Sequence, residues 1–383
     1  MSTMAARPKS RIVAAVLTVT VMGTLLGVSL FRSWSELSRQ RSFVTAERAG
    51  VAYLRPLTAL IGALTAAESS AVRGQPIDTG RLRTAAAGVA AAETAHGAAL
   101  GTGTRWSELQ QRIGALIDKP GTGPDAYQNF GDVVSLTIQL TVHVGDSSNL
   151  ILDPELDAYY LMDVGLLRLP GLMFNTARAA DLVALPLGRD TPGERAAAIA
   201  VARYEVAAAA AQISTGLKKS VLNTGRSALG TDLTGEQDDF QNAVDALTPP
   251  ALVRQFSGPV TEAGISDSAA RVNSAAVTLA GAIWVQLDAL LADRHAGLVE
   301  QHRLIIAGAV TVLAGALLLL WLFAPDRRSR AIEEDSDDSS AAEAEPEAPQ
   351  ISLIDARDLL GAEELVHVGR GVQARPRERD GAE

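Results

Sequence analysis

The chain has 383 residues, a formal net charge of −10 and no cysteine. Disulfides, thiolate catalysis and zinc–sulfur sites are thereby excluded, and the absence of a basic face argues against a nucleic-acid partner. Hydrophobic residues make up 47% of the chain but aromatics only 4%. Alanine, leucine and valine must therefore build the core, which suits close-packed helices better than a β-sandwich and predicts an all-α fold.

Residues 1–11 carry Arg7, Lys9 and Arg11 and read as a cytoplasmic N-terminus. The uncharged run IVAAVLTVTVMGTLLGVSLF, residues 12–31, is long enough to cross a bilayer as a helix. A cleaved signal peptide is the alternative. The run is long for that role and no A-x-A site follows it, so an uncleaved anchor is expected. Residues 32–303 read as an extracytoplasmic domain, helical nearly throughout. Leu57, Leu60, Ile61 and Leu64 share one helix face. This first helix is expected to run unbroken from the span to about Val72. Breaks are predicted at 73–80, 101–104, 119–125, 145–148, 185–194 and 247–251, where Gly, Pro, Asp and Ser cluster. The stretch LTIQLTVHV, residues 136–144, alternates like a strand, but no second strand stands nearby to pair with it. It is assigned to a helix.

The densest polar cluster is GDSSNLILDPELDAYYLMDVG, residues 145–165. Gly145, Ser147, Ser148 and Asn149 read as turn formers. Asp153 and Pro154 read as a helix cap and a first helical residue, with Glu155 suited to the positive end of the helix dipole. Beyond them Asp157, Tyr160 and Arg168 fall near one stripe, while Asp163 interrupts a largely apolar one. These four residues are the candidates for a ligand site or an interhelical network. Arg168 lies five residues from Asp163, awkward for a helix, so a partner for Asp163 is expected on another helix.

The second apolar run, residues 304–324, is bounded by Arg303 and by Asp326-Arg327-Arg328 and predicts a second span. Two crossings place both termini on one side, which Arg327, Arg328 and Arg330 mark as cytoplasmic. Arg32, Arg39 and Arg41 flank the first span at a similar density, so that end is ambiguous by charge alone. Residues 325–350 form an acidic, low-complexity linker, predicted to be disordered. Residues 351–383 form a tail in which Leu353, Ile354, Leu359, Leu360, Leu365 and Val366 could make one apolar face of a short helix; a helix that docks onto a partner and an orphan peptide with residual helicity are the two readings.

The form G-D-x-S-N-L-x-L-D-P-x-x-D-x-Y-Y-L-M-D, matched from Gly145 to Asp163, resembles a segment in the extracytoplasmic sensor regions of bacterial chemoreceptors, histidine kinases and diguanylate cyclases. LRPLTALIGALTAAESSAVRG, from Leu54, resembles an earlier helix of such regions more weakly. It has Ala67-Glu68-Ser69 about where relatives often carry His-Arg-Gly. The resemblance implies two stacked four-helix bundles, similar to helical bimodular and nitrate/nitrite-sensing domains. It also implies a small anion or organic acid as ligand, and homodimerisation.

The five histidines form no metal-ligand spacing, and no nucleophile elbow, Walker loop or dinucleotide-binding glycine box occurs. No catalytic residue, metal or cofactor is expected, and the chain is not expected to be an enzyme. The sequence also shows no kinase, cyclase or methyl-accepting signature. The expectation is a membrane-anchored sensor that detects a small ligand and signals through a separate cytoplasmic or membrane protein. A non-catalytic scaffold, or an accessory subunit of a signalling complex, is the alternative.

Overall fold

The computed structural model describes residues 8–248 and 262–322, apart from Leu187 and Arg189. The expectations for 325–350 and for 351–383 lie outside the described residues. Among the described residues nine α-helices follow one another: α1 Pro8–Val72, α2 Thr79–Leu100, α3 Gly103–Asp118, α4 Gly123–Ser147, α5 Leu156–Met162, α6 Leu169–Ala184, α7 Pro192–Asn223, α8 Ala228–Leu247 and α9 Glu262–Leu322. A 3₁₀ turn at Leu150–Leu152 precedes α5, and a π turn at Asp163–Arg168 joins α5 to α6. The fold is all-helical among the described residues, as composition required.

The long helices α1 and α9 form an antiparallel ladder. Trp34 stacks on His302, with ring centroids 3.9 Å apart. Higher up, Arg48 Nε donates to Asp288 at 2.9 Å, and Trp284 Nε1 donates to Thr58 Oγ1 at 3.0 Å. Gly62 abuts Val277. A climb of α1 from 34 to 62 thus matches a descent of α9 from 302 to 277, a paired length of roughly 40 Å at helical rise. Neither helix breaks where the first-span and second-span segments meet the folded region.

The other helices pack along the upper part of this ladder. α2 lies against α1 through Tyr53, whose hydroxyl donates to Glu93 at 2.6 Å. Helix α4 meets α1 at Gly50, through Ser148. α6 meets it at Gly62 and again at Arg73, which pairs with Asp181 at 3.2 Å. Helices from both halves of the chain therefore flank the same Gly50–Arg73 length of α1. They lie side by side along it. Long unbroken α1 and α9 offer a common spine, so no helix has to stop at mid-height.

Local chemistry sets the boundaries. Gly101 ends α2 with φ 64°, and Gly121 and Gly123 turn the chain between α3 and α4. The α7 start is a capping box, with Thr191 and Glu194 each satisfying the other's backbone amide and Pro192 at the first turn. Arg195 reaches back to the carbonyls of Leu182, Leu185 and Pro186, closing the end of α6. Residues 136–144 are helical, as assigned. Thr137 and Thr141 are buried on that helix, and each hydroxyl donates to the carbonyl four residues back, at 2.8 and 3.0 Å. That bond removes the cost of burying a hydroxyl and lets a strand-like composition sit in a helix.

The 145–148 break is displaced. Gly145 and Ser147 remain inside α4, and the turn falls on Asn149, the one non-glycine residue with positive φ (63°) among the described residues. Asn tolerates this left-handed conformation where most side chains do not. Gly145 packs closely instead: a Cβ there would lie 2.4 Å from a Leu166 methyl, so that side chain would have to move. Gly165 meets Trp284 in the same way at 2.9 Å, and Gly216 of α7 meets Val164 at 2.6 Å. Three helices thus close on the π turn through three glycines.

The π turn has a local cause. Pro170 offers no N–H to Leu166, and in a regular α-helix its ring would press on that carbonyl. A wider turn just before it relieves the clash, and Leu169 N–H bonds instead to Val164, five residues back.

Among the described residues three helices are long and apolar enough to cross a membrane: α1, α7 and α9. α7 packs against α5, α6 and α8. The lower ends of α1 and α9 instead expose large aliphatic and aromatic side chains, among them Leu17, Leu25, Phe31, Leu304, Leu313 and Leu317.

Trp284 is rigid, buried and hydrogen-bonded, so it cannot yield to a new methyl group. Gly165→Ala is therefore expected to destabilise the fold by about 1–3 kcal/mol. Gly171→Ala, a helical glycine with nothing within 4 Å, should be neutral or stabilising by up to about 1 kcal/mol. Thermal unfolding of the two variants in detergent compares them; equal effects would refute the packing role of Gly165.

Candidate functional site

Asp157, Tyr160, Asp163 and Arg168 are brought together along one flank of α7. Asp163 pairs with Arg168 at 3.2 Å, and Arg168 Nη1 donates to Gln212 at 2.6 Å. A same-helix partner for Asp163 had not been expected. An ordinary α-helix sets residues five apart roughly 140° around its axis, whereas the π turn brings them onto one line. Tyr160 receives the Lys219 ammonium over its ring at 5.2 Å. The Asp157 carboxylate accepts from the amide of Ala158, and its backbone carbonyl from Ser220. Their partners come from α5, the π turn and α7.

Asp153 and Pro154 do not cap α5. The helix starts at Leu156 with Glu155 as its cap residue, because Asp153 is turned inward. Its Oδ1 accepts from the Glu155 amide at 2.9 Å and from Arg294 of α9 at 3.0 Å. Arg294 also stands 3.6 Å from Glu47 of α1. Glu47 is fully buried, and both its carboxyl oxygens lack a hydrogen-bond partner, as does Asp153 Oδ2. One arginine thus faces two buried carboxyls. Burial pushes the Glu47 carboxyl up to about 8, reinforced by the charge of Asp153 and opposed by Arg294. A proton on Glu47 then supplies the donor that Asp153 Oδ2 lacks. Beside Arg294 a groove of about 610 Å³ opens between α1, α9 and this loop, with Arg39, Phe43, Leu152, Glu155 and Gln301 on its walls.

A second buried cluster lies toward the far end of α1. Glu68 is fully buried with both oxygens unpartnered, and Arg178 of α6 stands 3.7 Å away. Arg178 lies over the Tyr127 ring at 3.7 Å and donates to the Tyr127 carbonyl at 3.0 Å. Asp181, also fully buried, pairs with Arg73. Burial raises Glu68 to about 8, with Asp181 adding to the effect. Burial likewise raises Asp181 to about 6 against hydrogen bonds from Ser69 and Arg73.

Sequence reasoning missed Glu47, Glu68, Asp181 and Arg294. A signal existed for Glu68: it continues the Leu57, Ile61, Leu64 stripe by one further turn. For Glu47 and Arg294 no local pattern announces that they meet across most of the chain.

The two clusters are packed acid–arginine networks. No group of three or more His, Asp or Glu residues suited to a metal occurs among the described residues. No family model, curated protein or solved structure matches the chain.

In an unfolded chain, Asp and Glu carboxyls titrate near 4. Glu47, Glu68 and Asp181 hold their protons to higher pH in the folded state, so the stability they contribute is fully present below about pH 4. It is lost as pH rises through about 6 for Asp181 and about 8 for Glu47 and Glu68. The unfolding midpoint should therefore rise between pH 8.5 and 5.5, and Glu47→Gln with Glu68→Gln should flatten the slope. A midpoint that falls on acidification over that range would refute the assignment.

Arg294→Met strands two buried carboxyls and should cost about 3–5 kcal/mol. Asp163→Ala breaks a partly exposed pair and should cost about 1 kcal/mol or less. Denaturant titration ranks the two variants, and comparable losses would contradict the burial difference.

Proposed function

We propose that the chain is a two-pass membrane protein with both termini in the cytoplasm, and that residues 32–303 form an extracytoplasmic sensor-like helical domain. The observation that carries this is continuity. α1 and α9 each run as one helix from a buried ladder into an end whose large aliphatic side chains face outward. Such ends suit hydrocarbon better than water. Arginines at 327, 328 and 330 favour the stated orientation. The resemblance of residues 145–163 to sensor regions supports the functional class. A small anion or organic acid would shift α1 against α9, and the displacement would pass through unbroken helices to a cytoplasmic or membrane signalling partner. Homodimerisation is part of this reading by resemblance.

One observation favours a scaffold instead. Asp157, Tyr160, Asp163 and Arg168 are engaged with one another, with nearby backbone and with α7, which is what a purely structural motif requires.

The absence of cysteine makes topology directly measurable. Ser107→Cys, on the exposed face of α3, should react with a membrane-impermeant maleimide in intact cells. Ser339→Cys, in the acidic tail, should react only after lysis. The opposite pattern would overturn the orientation, and labelling of both sites in intact cells would overturn the two-pass reading.

A further inference from the structure

Where α1 ends and α9 begins, the two helices leave a crevice of about 260 Å³. Thr65, Ser69 and Arg73 line it from α1 at one-turn spacing, and Ser266, Asn273 and Ser274 line it from α9. Gly62, Ala66, Ala269 and Ala270 keep it open because their side chains are too small to fill it. The space corresponds to roughly eight or nine waters of liquid volume, more than a bridging water needs.

The chemistry of the walls is one-sided. Among the described residues the charged side chains lining the crevice are Arg73 and Arg81, and no carboxylate lines it, in a protein of net charge −10. Arg73 is held by Asp181 and by the Ser69 and Ala180 carbonyls, yet its Nε is buried without an acceptor. No hydrogen bond or ion pair engages the Arg81 guanidinium among the described residues. Opposite them, Asn273 Oδ1 is buried without a donor. Cationic donors lacking an acceptor and a neutral acceptor lacking a donor thus line one cavity. Buried polar groups are normally satisfied, and a ligand with the complementary pair of groups satisfies both.

We propose that this crevice binds a small carboxylate carrying a hydroxyl or ammonium group on the adjacent carbon. The carboxylate sits between Arg81 and Arg73, and the neighbouring donor meets Asn273 Oδ1. The site deepens the sensor reading and rests on it for its meaning, since a ligand here bridges the two helices that continue to the apolar ends.

The test uses the full chain in detergent, with L-serine and L-lactate as probes against propionate and sulfate. Calorimetric titration should show serine or lactate binding about tenfold or more tightly than propionate, the worth of one added hydrogen bond to a buried acceptor. Arg81→Ala should weaken binding about tenfold or more through loss of a charge-assisted contact. Asn273→Ala should remove the preference over propionate. Ala270→Leu, a change at an exposed position on the rim, should block binding while the unfolding midpoint stays unchanged. No binding of any probe, or propionate binding as tightly as lactate, would overturn the proposal. Binding that survives both Arg81→Ala and Asn273→Ala would overturn this site while leaving the sensor reading intact. The cysteine-labelling pattern tests that reading separately: if it fails while titration at the crevice holds, the binding site stands and the two-pass sensor does not.

Discussion

The guanidinium of Arg294 is the contact on which the lower half of the folded region depends. It belongs to α9, it bonds Asp153 in the loop before α5, and it stands beside Glu47 of α1. Three segments far apart in sequence meet at one half-buried charge. Burying that charge is costly unless its neighbours are paired and oriented. The arrangement is therefore less a source of raw stability than a means of fixing which surfaces meet. A greasy contact at this point would tolerate sliding of one helix along the other; an arginine between two carboxyls does not.

The same device recurs toward the far end of α1, where Glu68 and Asp181 face Arg178 and Arg73. Between the two clusters lie close glycine contacts, Gly62 on Val277, Gly165 on Trp284 and Gly145 on Leu166, together with the Trp284–Thr58 hydrogen bond. Charge thus ties α9 and the loop before α5 to α1 at one level and α6 to the end of α1 at the other, with close packing between.

Much of the architecture was legible in the sequence. The helical class followed from alanine and leucine content. The unbroken runs to Val72 and through the second apolar segment followed from the lack of breakers, although Pro56 lies inside α1. The turns at Gly101, at Gly121 and before Pro192 followed from glycine, proline and capping chemistry. What escaped was long-range. Asp153-Pro154-Glu155 has the local form of a helix start, but Arg294, distant in sequence, drew the aspartate inward and moved the boundary. The Asp163–Arg168 pair was misjudged because spacing rules assume an α-helix, and Pro170 had widened the turn. Gly145 was read as a breaker because a glycine's conformational freedom shows in sequence, whereas the neighbour that needs its missing side chain does not.

The continuity of α1 and α9 has a geometric corollary. Glu47 lies sixteen residues above Phe31, about 24 Å along an unbroken helix, and Arg294 stands ten residues above Leu304. With no loop in between, every side chain below the Arg294 contact has a fixed angular phase relative to the folded region. Adding one residue to either helix in that interval would turn the whole apolar end by about 100° about its own axis while leaving the folded region untouched. The orientation of the lower helices is therefore set by the number of residues between the arginine contact and the apolar ends, as the phase of a screw is set by its thread.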